Sequence, residues 1–126
     1  MTIYEEFLRD LLGEENTLRD PIFCGKSVVA KIDDQIIVKF MLISMHQNNK
    51  MDAILCTVLN RYGVIDRQLY PFADMIMSTP TLRDTDGKEE LASKFSLYDY
   101  ERIREIVMGY IDKFYDKKHD SEGEWC

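Results

Sequence analysis

A chain of 126 residues with 45% hydrophobic and 31% charged side chains can build one domain with a real core and needs no cross-links. Its net charge of −7 argues against direct nucleic-acid binding, which needs a clustered basic surface to displace counterions. The longest uncharged apolar run, Phe40–Met45, is too short to span a bilayer, so no membrane partner is expected.

The first residues, Met1-Thr2-Ile3-Tyr4-Glu5-Glu6, lack the basic and apolar regions of a signal peptide. Three cysteines with no CxxC pair fit free thiols in a reducing cytoplasm better than a disulfide framework. The charge is uneven. Residues 1–20 carry six acids against two bases, residues 21–80 five against six, and residues 81–126 twelve against eight. A near-neutral middle is thus flanked by two acidic ends.

In chain order, Thr2 and Glu5 form a capping-box pattern. Ile3, Phe7, Leu8, Leu11 and Leu12 then give one apolar helical stripe, and Gly13 stands where a helix stops. Pro21 keeps Asp20 out of the right-handed helical region and starts an extended segment. Three apolar segments follow, Cys24–Ile32, Ile36–Met45 and Met51–Asn60, joined by Asp33-Asp34-Gln35 and His46–Lys50. Short, rich in Val and Ile and closely spaced, they predict strands of an antiparallel meander. A weaker fourth strand, Gly63–Tyr70, has the look of an edge because of Arg67 and Gln68.

Pro71–Met77 predicts one or two helical turns, Ser78–Glu90 a loop, and Leu91–Phe95 a helical piece. Ser96 and Asp99 mark a helix start. Tyr100, Ile103, Val107, Tyr110 and Phe114 carry that helix through Leu97–Tyr115, with a frayed polar stretch after Asp116. The expected fold is α+β, a three- to four-stranded antiparallel meander packed against N-terminal and C-terminal helices. One domain covers residues 1–118, and a flexible tail covers 119–126.

The distribution of apolar residues over the strand faces carries the functional expectation. In the second strand Ile36, Val38, Phe40 and Leu42 face one way, and Ile37, Met41, Ile43 and Met45 the other. In the third, Met51, Ala53, Leu55 and Leu59 oppose Ile54, Cys56 and Val58. Two striped helices cover one side of such a sheet. The other must be covered by residues 71–95, by a second copy or by a partner, because a contiguous apolar face calls for an occupant.

Catalytic and metal motifs fail on spacing. Gly25-Lys26-Ser27 lacks the earlier glycine of a phosphate loop, whose place Asp20 holds, and Val28-Val29 follows instead of a helix. A meander register sets Cys24 opposite Ser44 and near His46, with Cys56 some ~13 Å further along at ~3.3 Å per residue, beyond what one zinc ion spans. Asp84-Thr85-Asp86-Gly87 brings its glycine too early for a calcium loop. Glu5/Glu6, Glu14/Glu15 and Glu89/Glu90 are neighbours in sequence, so on a helix they diverge. No catalytic residue, metal ligand or cofactor site is assigned.

Seven Met and seven Tyr suit adaptable, amphipathic contact surfaces. The leading expectation is therefore a non-enzymatic, acidic protein–protein interaction module. Its partner-binding residues are Ile37, Met41, Ile43, Met45, Glu5, Glu6, Glu14, Glu15, Tyr62 and Tyr70. One version is an inhibitor encoded by a phage or mobile element, of the anti-restriction or anti-CRISPR type, that covers the basic groove of a nucleic-acid-handling enzyme. The alternatives are a small-molecule-binding or enzymatic domain with a pocket lined by Tyr100, Tyr110 and Cys56, and a structural homodimer.

Overall fold

The structure, a computed structural model, describes residues 2–15, 17–45, 50–77, 82–85, 88–91 and 95–125. The first helix, α1 (Ile3–Leu12), starts on Thr2, whose hydroxyl accepts the Glu5 backbone N–H at 3.1 Å. Its stripe buries Tyr4, Phe7, Leu8, Leu11 and Leu12. Gly13 ends the helix in a right-handed conformation, donating its N–H to the Arg9 carbonyl.

The sheet has five strands. In spatial order they are β1 (Arg19–Cys24), β2 (Ser27–Lys31), β3 (Ile37–Ile43), β5 (Ala53–Asn60) and β6 (Gly63–Pro71), all antiparallel. Between β3 and β5 lies the two-residue β4 (Lys50–Met51). It joins β7 (Leu82–Thr85) and β8 (Lys88–Leu91) in a small second sheet. A single-turn helix, α2 (Phe72–Met75), follows β6, and α3 (Leu97–Trp125) closes the chain. The α+β fold is as expected, with one more strand than the upper expectation.

The extra strand arises where one was expected to run straight from Cys24 to Ile32. Gly25, at φ +60°, turns the chain, and Cys24 pairs with Ser27 across a two-residue loop. Only glycine enters that backbone region without a steric penalty. Lys26, which interrupts the alternation, is therefore a turn residue. This also overturns the expected register of Cys24. Ser27 faces Met41, so Cys24 sits in the outer hairpin and not opposite Ser44; His46 lies outside the described residues.

A second break falls at Asp52. Its carboxylate accepts the Met45 N–H, its N–H binds the Ile43 carbonyl, and its carbonyl accepts the Phe72 N–H. The chain turns through it, so Met51 enters the core and does not share a face with Ala53 and Leu55.

The expected loop at 78–90 contains the β7–β8 hairpin. Its Thr85–Lys88 pairing brackets Asp86 and Gly87, which lie outside the described residues. Leu91 ends β8 and is not helical, and Phe95 precedes α3. Ser96 and Asp99 form a reciprocal cap, each backbone N–H bonded to the other's side chain at 3.0 and 3.1 Å. From there α3 runs to Trp125, through the stretch read from sequence as frayed.

The core lies on one side of the five-stranded sheet. Val28, Ala30, Val38, Phe40, Leu42, Ile54, Cys56 and Val58 project into it. They meet the stripes of α1 and α3, together with Phe72, Met75, Ile76 and Phe95. Phe7, Phe72, Phe95 and Tyr100 form an aromatic cluster with centroid separations from 4.8 to 5.9 Å, where each ring adds directional contact to its buried area. Of the 71–95 stretch, Phe72, Met75, Ile76 and Phe95 thus pack on the helix side.

Candidate interaction face

The opposite face of the sheet is built by strand alternation alone. Its rows follow from the register. Cys24, Ser27, Met41, Leu55 and Leu69 form one; Ile22, Val29, Lys39, Thr57 and Arg67 the next; Arg19, Lys31, Ile37, Leu59 and Val64 the third. Ile43 and Ala53 lie beyond the first row. Met41, Ile43, Leu55, Leu59 and Leu69 are half-buried. None of them belongs to the core cluster. Ile37 and Val64 are exposed at 40% and 52%.

Five strands spaced ~4.8 Å apart and about 20 Å long make a face on the order of 400 Å². That is about half of one side of a standard protein interface, with the apolar share of it interrupted by Lys31, Lys39, Thr57 and Arg67.

The charge on this face is one-sided. Its middle row holds Lys39 and Arg67 on either side of Thr57, and Lys31 stands in the third row. Among the strand positions facing this way there is no Asp or Glu. The two cations lie two strands apart, about 10 Å, and Thr57 between them is only 9% exposed. Among the described residues neither is ion-paired. Asp33 and Asp34 stand at its end, in the turn between β2 and β3, and other acids lie in the helical layer. Glu5, Glu6 and Asp10 are on α1, Asp74 is on α2, and Glu101, Glu105 and Asp112 are on α3.

At one end the face deepens into a pocket of about 390 Å³, lined by Lys31, Asp33, Asp34, Gln35, Ile37, Asn60, Arg61 and Tyr62. Local hydrogen bonds shape it. Asp33 Oδ1 accepts the N–H groups of Gln35 and Ile36 at 2.7 and 2.9 Å, and Asp34 is paired with Arg19 at 3.1 Å. Asn60 accepts the Tyr62 N–H at 2.8 Å, and the Arg61 guanidinium donates to the Tyr62 hydroxyl. Both carboxylates thus have partners within the chain, while Lys31, also in the lining, has no ion pair among the described residues.

The residues expected to bind a partner fall into three places. Ile37, Met41, Ile43 and Met45 belong to the β3 side of the open face and its continuation, and Tyr62, 81% exposed, rims the pocket. Glu5, Glu6, Glu14 and Glu15 belong to α1 and the turn after it, in the opposite layer. Tyr70 shares the row of Ile54 and packs edge-on against Tyr110, so it faces the helices. The sequence reading assigned no role to Lys39 and took Arg67 only as the mark of an edge strand. Their alignment in one row was unreadable until the register was known.

The groups proposed for an internal pocket are packed among core side chains. Cys56 is fully buried, which pushes its thiol up to about 12. The Tyr110 hydroxyl donates to Asp66, and burial followed by that bond raises its pKa. Burial also raises the phenol of Tyr70. Tyr100 stacks on Phe7 and Phe95, and burial, reinforced by the charges of Asp10 and Glu6, lifts it to about 12. A shallow depression of about 80 Å³ beside Tyr100 is lined by Ile3, Glu6, Phe7 and Asp10.

Among the described residues no three His, Cys, Asp or Glu side chains gather as a metal site would require, and no helix is long and apolar enough to cross a membrane. No protein-family model, curated protein or solved structure matches the chain.

Proposed function

We propose that this protein is a non-enzymatic interaction module whose working surface is the open face of the five-stranded sheet. The observation that carries this reading is the contrast between the two faces. One is sealed by three helices. The other presents three rows rich in Leu, Ile and Val, none of whose residues belongs to the core cluster. A layer of secondary structure with an apolar face is completed by another layer, and here that layer comes from a partner.

A photo-reactive residue at Leu55 tests this in cells of the source organism. It captures a protein partner, and capture is lost in Met41→Asp and retained in Glu101→Lys. Capture that survives Met41→Asp removes the open face from the reading.

The narrower version, an inhibitor that covers the basic groove of a nucleic-acid-handling enzyme, uses the acidic layer of α1 and α3 and gives the opposite pattern. Glu6→Lys with Glu101→Lys abolishes capture, and complex formation weakens steeply between low and moderate salt. Binding indifferent to salt excludes it.

A further inference from the structure

We infer that the open face selects a partner surface that is apolar and carries carboxylates, which dock on Lys39 and Arg67. This rests on the reading of the open face as the working surface and adds the chemistry of what covers it. The argument is charge complementarity. In a chain of net charge −7, a sheet face whose only charged strand positions are cations is set apart from the rest of the surface. Lys39 and Arg67 stand in its middle row, flanked on both sides by rows containing Met41, Leu55 and Leu59. An occupant that covers the middle row must therefore bury apolar area and meet the two positive charges of Lys39 and Arg67, about 10 Å apart.

Two other occupants fit less well. A second copy docked face to face brings its own Lys39 and Arg67 onto the same two-fold patch, and like charges in a shared interface oppose association. A single-stranded nucleic acid supplies anions, but binding it relies on aromatic rings for base stacking. The three rows contain none.

Two synthetic amphipathic helical peptides of about 18 residues test the selection. Both carry the same leucine stripe, flanked by glutamates in one and by lysines in the other. Each is titrated into the 126-residue chain and followed by amide NMR shifts of Val29, Lys39, Thr57 and Arg67. The glutamate peptide is expected to shift these amides and to bind at least about tenfold more tightly than the lysine peptide. In the double variant Lys39→Glu/Arg67→Glu the preference reverses.

Lys39→Gln/Arg67→Gln, which removes charge without reversing it, is expected to abolish the preference while leaving the unfolding midpoint close to wild type. That result separates lost selection from lost folding. Equal binding of both peptides at the open face leaves the docking surface standing and overturns the carboxylate preference. Tighter binding of oligothymidylate, or light scattering that shows a dimer broken by Met41→Asp, overturns it in favour of the other occupants.

Discussion

Arg104 joins the two ends of the chain. From α3 its guanidinium donates to the Leu11 carbonyl at 2.6 Å and to the Asp10 carbonyl at 3.0 Å. It thereby satisfies acceptors that the last turn of α1 leaves open and places a positive charge at the negative end of that helix. Arg104→Ala is expected to destabilise by about 1–2 kcal/mol, read as a lower urea midpoint. Arg104→Lys recovers only part of this, because an ammonium cannot reproduce the planar fork.

The buried phenols make stability depend on alkaline pH. With folded pKa values of Tyr100 and Tyr110 above the ordinary ~10, the unfolded chain loses these protons first. Stability is therefore full below about pH 10 and falls as pH rises past it. Tyr110→Phe is expected to flatten that decline between about pH 10 and 12. An unchanged slope contradicts the assignment.

Thiol reactivity follows the same logic of burial. In a Cys126→Ser background, iodoacetamide near pH ~8 should label exposed Cys24 and spare Cys56, whose thiolate is suppressed. Mass spectrometry of the labelled chain decides this.

At the scale of elements, β3 carries the contrast that defines the molecule. Val38, Phe40 and Leu42 are buried, while Ile37, Met41 and Ile43 on the same strand are not. Alanine substitutions along β3 should alternate in cost. Phe40→Ala should lose about 3–5 kcal/mol through the cavity it leaves, and Met41→Ala roughly 1 kcal/mol or less, by urea denaturation of the isolated protein. Equal costs at the two positions would mean that the outer face is covered within the chain.

Period-two alternation made the faces of β3 and β5 legible in sequence, and period-3.6 stripes and caps did the same for α1 and the start of α3. What stayed hidden was turn chemistry inside apolar runs. Gly25 and Asp52 each break what reads as one continuous strand. The strands of the β7–β8 hairpin, Leu82–Thr85 and Lys88–Leu91, are too polar to show alternation. The Lys39–Thr57–Arg67 row was equally invisible, since it joins three strands whose relative register local pattern does not encode.

On the scale of the whole molecule, the first and last helices share one core with the strands between them. Buried Phe7 touches Phe72, Phe95 and Tyr100, so α1 is part of that core rather than an appendage. Removing residues 1–13 strips Tyr4, Phe7, Leu8, Leu11 and Leu12 from the cluster. It should abolish cooperative thermal unfolding, as followed by circular dichroism. A truncated chain that still melts cooperatively would place the stabilising core elsewhere.

The two irregularities at the sheet margins have a consequence of their own. β1 departs from its ladder between Arg19 and Ile22, where Asp20 takes a φ of +52° beside Pro21. β6 departs from its ladder where Leu59 meets Val64 and Val58 meets Asp66. Bulges, a proline and charged side chains are how sheets discourage strangers from adding a strand. Both margins of the five-stranded sheet are thus blunted against the addition of a further strand. On the proposed reading, an occupant of the open face meets side chains laid flat across the sheet, and those can be exchanged one by one without unpicking a backbone hydrogen bond.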